Sequence, residues 1–557
     1  MKKGYILLMF LLTSGFLMPV NAQSDNKHKF RLARRISVFN AIVKDLNMFY
    51  VDSIMPDKMI NKGIQAMLSN LDPYTVYYPE EESEELKMMT TGKYAGVGST
   101  IQFHKKKNTT VMTNPYVGMP AYEAGIRAGD EIVSIDGKPV KGMSVDSVSD
   151  MLRGDAGTRL TVIIKRPGTK NNLEFKLQRK SIAMPAITYY GLQNGNVGFI
   201  ALESFTEGCA KEMRHAVVDL KKQGAESFVI DLRSNGGGLL EEAIDIVGLF
   251  IPKGKVVVTT KGKIAQSNES FKTEREPIDT ISPIVVLVDG YTASASEIVA
   301  GALQDFDRAV IVGSRTFGKG LVQSTRPLPD GGYLKLTTAK YYIPSGRCVQ
   351  ALDYSHVIDD GKSTRIPDSL TNVFYTAAGR EVRDGGGIRP DAEPKPEETT
   401  TLLYYLATEM AIFDYATEFK LKNETIAPAE EFKISDEEYE KFKEYLKSTG
   451  FKYDLASAKA LEELKKIMEK EGLADIAKEE IAALEKKLQA NLDHSLAHFD
   501  KYVRSLLSSE IVLRYYGEKG QAAHNLNFDE DLKLAYEILG DRDRYRKILT
   551  PAKKSDK

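Results

Sequence analysis

The run Val288-Asp-Gly-Tyr-Thr-Ala-Ser-Ala-Ser-Glu-Ile298 leads from an apolar stretch through small residues into a helical pattern. Small side chains at such a junction let a hydroxyl stand exposed while the N–H groups of the helix start face the same space. A serine nucleophile and an oxyanion require that arrangement. Thr292, Ser294 and Ser296 would serve equally well as helix caps, so this stretch alone leaves both uses open. Gly313-Ser-Arg-Thr-Phe-Gly-Lys-Gly320 adds a lysine between two glycines in an apolar setting. Burial of Lys319 between Phe317 and the run Leu321–Gln323 is expected to lower its pKa, and a neutral amine can take a proton from a serine hydroxyl.

Other motifs test rival chemistries. The same octet approaches the phosphate-loop pattern, but Gly320 stands where a hydroxyl must reach magnesium and a strand-like run follows in place of a helix. Nucleotide binding is therefore disfavoured. Asp231-Leu-Arg-Ser-Asn-Gly-Gly-Gly238 ends a strand in three glycines, which lets backbone amides approach a ligand, or simply makes a tight turn. A dinucleotide fingerprint is absent. In the α/β stretch only His215 and His356 are candidates for a conventional triad, and His215 lies in a helical pattern that suits a surface or packing role. His494 and His498 are four apart, but no glutamate follows the first to make a zinc-protease signature. Two cysteines, Cys209 and Cys348, read as unpaired thiols and offer no Cys-rich metal site. No metal, nucleotide or organic cofactor is expected.

The elements that must position these residues belong to a chain of 557 residues with 42% hydrophobic and 27% charged residues, a globular balance. Lys plus Arg is 76 against Asp plus Glu at 77, so nothing in the net charge draws the protein to nucleic acid or an anionic membrane. Lys2 and Lys3, the apolar run Tyr5–Met18 and Pro19–Ala22 form the pattern of a secretory signal cut after Ala22. The run is short for a stable membrane span. Residues 23–91 read as helical, with Ile36, Phe39, Ile42, Val43 and Leu46 at helical spacing. A small β-rich unit follows over 92–181. Over 182–396, strands at 197–201, 227–232, 284–288, 309–312 and 334–338 alternate with helices, which predicts an α/β core with largely parallel pairing. Residues 397–557 hold only five of the 43 glycines and read as a helical domain, as in Ser435–Gly450 with its capping pair Ser435 and Glu438.

Here a resemblance becomes specific. The run Gly290–Asp305, Arg308-Ala309 and Thr316-Phe-Gly-Lys-Gly-Leu-Val-Gln323 resemble the active-site signature of the carboxyl-terminal processing peptidases, PDZ-containing serine endopeptidases with a Ser-Lys dyad. The family's 25-residue spacing from nucleophile to lysine falls on Ser294 and Lys319. The resemblance implies that Gln323 orients the amine, and that the amides of Gly237 or Gly238 and of Ala295 form the oxyanion hole. Asp305 matches an acidic position near the family's site. It is expected to stay clear of the amine and to pair with an arginine such as Arg308. Upstream, Leu71–Thr75 and Gly92–Gly98 resemble the family's approach to its PDZ domain, and Pro120-Ala121, Ala124–Ile126, Gly129-Asp130, Ile135–Gly137, Leu152–Gly154 and Gly157-Thr158 resemble the PDZ core pattern. Downstream, Tyr342–Arg347 and Gly387–Asp391 fit the end of the core.

The implied protein is an α/β protease core with an inserted PDZ-like domain, N-terminal helices and a C-terminal helical domain. The turn Gly96-Val97-Gly98 would bind a substrate's terminal carboxylate. Arg127 would read the substrate or touch the protease core. Residues 351–384 look like an insertion, and the C-terminal helices are not shared by all members. Expected partners are proteins or peptides held by their C-termini, with the helical regions as candidates for homo-oligomer contacts. The expected location is outside the cytoplasm, in the periplasm. The alternative is a PDZ adaptor with an inactive protease-like core.

Overall fold

The structure, a computed structural model, describes residues 20–354, 363–395, 400–488 and 492–551, with side chains from residue 29 onward. The expected leader, up to residue 19, lies outside the described residues, as do His356 and residues 355–362 of the 351–384 segment. Helices α1 (Val20–Phe49) and α2 (Pro56–Leu68) precede the turn Leu71–Thr75. Asp72 closes that turn by accepting from Tyr74 N and Thr75 N, both at 2.8 Å. Strand β1 (Val76–Tyr78) and helix α3 (Ser83–Thr91) lead into the small β-rich unit.

That unit contains β2 (Lys93–Gly96), β3 (Ser99–His104), β4 (Thr109–Pro115), α4 (Pro120–Glu123), β5 (Glu131–Ile135), β6 (Lys138–Pro139), α5 (Val145–Leu152), β7 (Arg159–Lys165), β8 (Leu173–Gln178) and β9 (Lys180–Ala183). Alternate residues of β7, Leu160, Val162 and Ile164, are buried, as a strand with one face on a core requires. The sheet order β3-β4-β5-β7-β8 leaves β3 at an edge. Strands β2 and β9 pair antiparallel, with Lys93 opposite Ala183, so the unit's two ends leave side by side.

The core follows: β10 (Ile187–Gln193), β11 (Val197–Leu202), α6 (Cys209–Lys222), β12 (Ser227–Asp231), α7 (Leu240–Val247), β13 (Val256–Gly262), β14 (Ser270–Lys272), β15 (Ile284–Val288), α8 (Ala295–Asp305), β16 (Val310–Gly313), β17 (Leu321–Pro327) and β18 (Tyr333–Tyr342). Its main sheet runs β10-β11-β12-β15-β16, parallel from β11 onward. Such a sheet is buried on both faces, which is why its strands read as continuous apolar runs. Ile200, Phe228, Ile230 and Val286 face α6–α8, while Phe199, Val229, Val285 and Leu287 face the other way. The expected parallel strand 334–338 belongs instead to a second, antiparallel sheet, β1-β18-β13-β14, with β17 also on β18. The turn between β17 and β18 is too short for a parallel crossover.

The C-terminal region is helical: α9 (Thr401–Thr408), α10 (Ala411–Lys422), α11 (Asp436–Ser448), α12 (Ala456–Glu471), α13 (Lys478–Lys487), α14 (Leu492–His498), α15 (Asp500–Asn525), α16 (Glu530–Gly540) and α17 (Arg542–Leu549). Ser435 caps α11 by accepting from Glu438 N at 3.1 Å. Tyr439, Phe442, Leu446, Leu507 and Ile511 form this region's own core. Helices α16 and α17 do not join it. Leu532, Ala535, Ile538 and Tyr545 cover the second face of the parallel sheet. The β-rich unit docks on the same helical region, where Val111 packs with Met410 and Phe413 and His104 Nε2 lies 2.8 Å from Asp414 Oδ2.

Candidate active site

Ser294 immediately precedes α8, with φ 58° and ψ −115°. A non-glycine residue there is strained by roughly 1–3 kcal/mol and persists only where its surroundings over-determine it. They do so here. Ala293 N donates to Asn235 O at 3.0 Å, Ser294 N to Glu297 Oε2 at 3.0 Å, and Tyr341 OH to Ser294 O at 3.2 Å. The neighbouring hydroxyls are consumed. Thr292 Oγ1 donates to Leu232 O at 2.8 Å, and the fully buried Ser296 Oγ donates to Asn235 O at 2.9 Å. Ser294 stands half-buried in a cleft of about 660 Å³ that Lys319, Gln323, Gly237, Gly238 and Tyr341 also line.

The Lys319 amine lies 4.3 Å from the centre of the Tyr74 ring. Its cover is that ring from the N-terminal turn, not Phe317, which points outward and is 43% exposed. Burial, and next the charge of Lys335, bring the Lys319 pKa down to about 8. Lys335 stands on β18 in the same cleft. The backbone at Ser294 and the backbone at Lys319 are joined by the fully buried Glu297. Its carboxylate accepts from Ser294 N, from Thr316 Oγ1 at 2.6 Å, from Gly318 N at 2.8 Å and from Lys319 N at 2.8 Å. Burial raises its pKa, and these donors oppose the rise.

The glycine loop lies against Ser294. A Cβ on Gly237 would stand 2.8 Å from Ser294 Cβ, and one on Gly238 would stand 2.3 Å from Phe205 O. Gly237 N–H is already given to Asn235 Oδ1 at 2.9 Å. Gly238 N–H and Ala295 N–H donate to no acceptor among the described residues. Gln323 lines the cleft, with its amide nitrogen donating to Thr337 Oγ1 at 3.2 Å. Asp305 ends α8, and its arginine is Arg347, at 2.8 Å with both side chains buried. Arg308 is committed elsewhere, donating to Ser282 O at 2.8 Å and to Phe250 O at 3.3 Å.

In the β-rich unit, Gly96 ends β2, Val97 is buried, and Gly98 has φ +74° just before the edge strand β3. Arg127 lines a cavity of about 1400 Å³ shared with Lys420, Tyr515 and Glu518 of the C-terminal helices. Among the described residues no cluster of three or more His, Cys, Asp or Glu is placed to hold a metal.

Three segments match known families: residues 196–360 peptidase family S41, residues 111–166 a PDZ domain, and residues 402–539 the C-terminal helical domain of probable PDZ-proteases. A carboxy-terminal-processing protease of Bartonella bacilliformis is 35% identical over 348 residues, covering 62% of this chain and 79% of that protein. The chain belongs to the carboxy-terminal processing protease family. The carboxy-terminal processing protease CtpA of Bacillus subtilis is 32% identical over 381 residues, 66% of this chain and 79% of that one. Among solved structures, a photosystem II D1 C-terminal processing protease is 28% identical, covers 65% of this chain and 88% of its own, and has a TM-score of 0.35.

As a member of this family the protein is a serine-type peptidase carrying a PDZ domain. Tyr74, Glu297, Thr316 and Lys335 of this carboxy-terminal processing protease escaped sequence reasoning. Glu297 stands in the serine motif three residues after Ser294, the spacing of a capping box, and that spacing is the one signal that could have found it. Tyr74 and Lys335 carry no local signal, because the turn and the strand that bring them to Lys319 are far apart in sequence.

Proposed function

We propose that the protein is an exported serine endopeptidase that holds protein substrates by their C-termini and cuts them with a Ser294–Lys319 dyad. The carrying observation is the strained Ser294 in one cleft with a lysine whose pKa is about 8. Neutral Lys319 takes the hydroxyl proton as Ser294 Oγ bonds to the peptide carbonyl carbon. The negative oxygen is held by the amides of Gly238 and Ala295. As the C–N bond breaks, Lys319 returns the proton to the leaving amine and an acyl-enzyme remains. Water then gives a proton to Lys319 and attacks the ester carbonyl, and as the ester C–O bond breaks Lys319 returns that proton to Ser294 Oγ. Gln323 and the amide of Gly237 sit at the rim of this machinery. Gly237's contribution is to let the loop approach.

Recognition is assigned to the turn Gly96-Val97-Gly98 and the free edge of β3, to which a peptide can add as a strand. Export is assigned to residues 1–22 and the destination to the periplasm. No described helix is long and apolar enough to cross a membrane. Self-association is assigned to α1, which leaves Phe30, Ile36, Phe39 and Ile42 exposed; sedimentation of the Ile36→Lys/Phe39→Lys variant checks it.

Ser294→Ala should abolish cleavage, read by mass spectrometry, while Ser296→Ala keeps it. Full activity in Ser294→Ala overturns the assignment. Labelling of Ser294 by a fluorophosphonate separates an enzyme from an inactive PDZ adaptor.

A further inference from the structure

The loop Leu232–Leu239 carries Gly238, yet Gly236, Gly237 and Gly238 give it no stiffness of their own. Its geometry depends on its anchors. Several belong to the core: Asn235 Nδ2 donates to Leu202 O at 2.7 Å, Ser234 N lies 3.0 Å from both carboxylate oxygens of Asp289, Phe205 N donates to Gly237 O at 3.1 Å and Leu239 N to Phe205 O at 2.8 Å. Another does not. Arg233 Nη1 donates to Asp529 Oδ1 at 3.0 Å and to Asp531 Oδ2 at 2.8 Å, and Nη2 also bonds Asp529 Oδ2. Asp231 takes the rest of the guanidinium, at 2.9 and 2.6 Å.

We propose that Asp529 and Asp531 position the oxyanion loop through Arg233, so that the C-terminal helical region completes the active site. Asp231 alone could satisfy one guanidinium bidentately. Two further carboxylates from the start of α16 leave an excess of negative charge around a mostly buried cation. Burial raises the pKa of Asp531, so its ionised form there is costly. The arrangement holds because α16 and α17 are fixed on the sheet by Leu532, Ala535, Ile538 and Tyr545. Tyr545 OH fixes them further through Ile284 N at 3.0 Å and Ile284 O at 3.1 Å. Arg233 is bound to that fixed platform five residues before Gly238. Asp529 and Asp531 are positioning residues.

The inference rests on the reading of Gly238, Ala295 and Ser294 above, and its test keeps the two separable. The full-length Asp529→Asn/Asp531→Asn variant removes both charges, while an asparagine in place of Asp529 can still cap α16 as the aspartate does toward Leu532 N. Loss of a whole oxyanion donor costs roughly 100- to 1000-fold in kcat, so a loosened one should cost about tenfold or more, with KM changed less than about twofold. Labelling of Ser294 by a fluorophosphonate should slow in proportion. Glu530→Gln, on the same helix but paired with Lys501 and Lys533, should keep the native kcat. Asp531→Asn alone, which leaves the cap intact, decides the matter should the double variant not fold. An unchanged kcat in a folded variant overturns the proposal, as does an equal loss in Glu530→Gln or a loss matched by the fall in folded protein. Ser294→Ala is assayed alongside. Its retained activity would overturn the active-site reading itself, whereas a dead Ser294→Ala beside an unaffected double variant overturns only the clamp.

Discussion

In the proposed mechanism Lys319 must be neutral to accept a proton, and its pKa is brought down to about 8. Activity should rise with pH, reach half its plateau near 8 and level off above, as a pH–rate profile will record. Lys319→Arg keeps the charge and cannot deprotonate, so it should be as inactive as Lys319→Ala. Lys335→Met removes the like charge that helps depress the pKa, and the profile should move to higher pH. The same depression bears on stability. Unfolding restores the ordinary lysine pKa near 10.5, so the folded state binds this proton less tightly and gains stability as pH rises from about 8 toward 10. Lys319→Met should therefore raise the melting temperature at pH 7, with a gain of up to about 3 kcal/mol, while abolishing activity.

Between elements, Glu297 joins the start of α8 to the lysine loop by four hydrogen bonds. A glutamine keeps one accepting oxygen and turns an –NH₂ toward N–H donors that then lack a partner. Glu297→Gln should cost about 2–4 kcal/mol of stability, read by chemical denaturation, and should lower kcat in the fraction that folds. Asp305 and Arg347 form a buried pair, so Asp305→Asn strands a guanidinium and should cost about 3–5 kcal/mol. Strand β3 makes a different demand. If its open edge and the Gly96–Gly98 turn hold a terminal carboxylate, amidating a peptide substrate should raise KM for the full-length enzyme. Equal KM for acid and amide would remove terminal reading from this domain.

At the scale of the molecule, the C-terminal helices serve two other parts at once. Helix α10 holds the PDZ domain through Phe413, Asp414 and Thr417, the last packed where a Cβ on Gly129 would collide at 2.5 Å. Helices α16 and α17 roof the parallel sheet of the peptidase. Tyr545→Phe removes the hydroxyl shared by Ile284 N and O and should cost about 1–2 kcal/mol. Deleting residues 526–557 uncovers Phe199, Val229, Val285 and Leu287 on that sheet and should leave no cooperative thermal transition.

The local chemistry was legible from residue order. Strand, small-residue turn and helix around Ser294, three glycines after Asp231, and a lysine between Gly318 and Gly320 each follow from short-range steric and hydrogen-bonding rules, and so do the alternating strands and helices and the glycine-poor C-terminus. Their spacing carried the family resemblance. What lay beyond the sequence were pairings that no motif carried: Tyr74 over Lys319, Lys335 beside it, Arg347 in place of Arg308 at Asp305, and Arg127 turned to the helices. A side chain's type states what it can bond, but burial and partner are set by which surfaces the chain brings together. The second face of the parallel sheet makes the point. Alternating strands and helices implied a largely parallel sheet, and only the tertiary structure decided that α16 and α17, from the far end of the chain, would cover its second face.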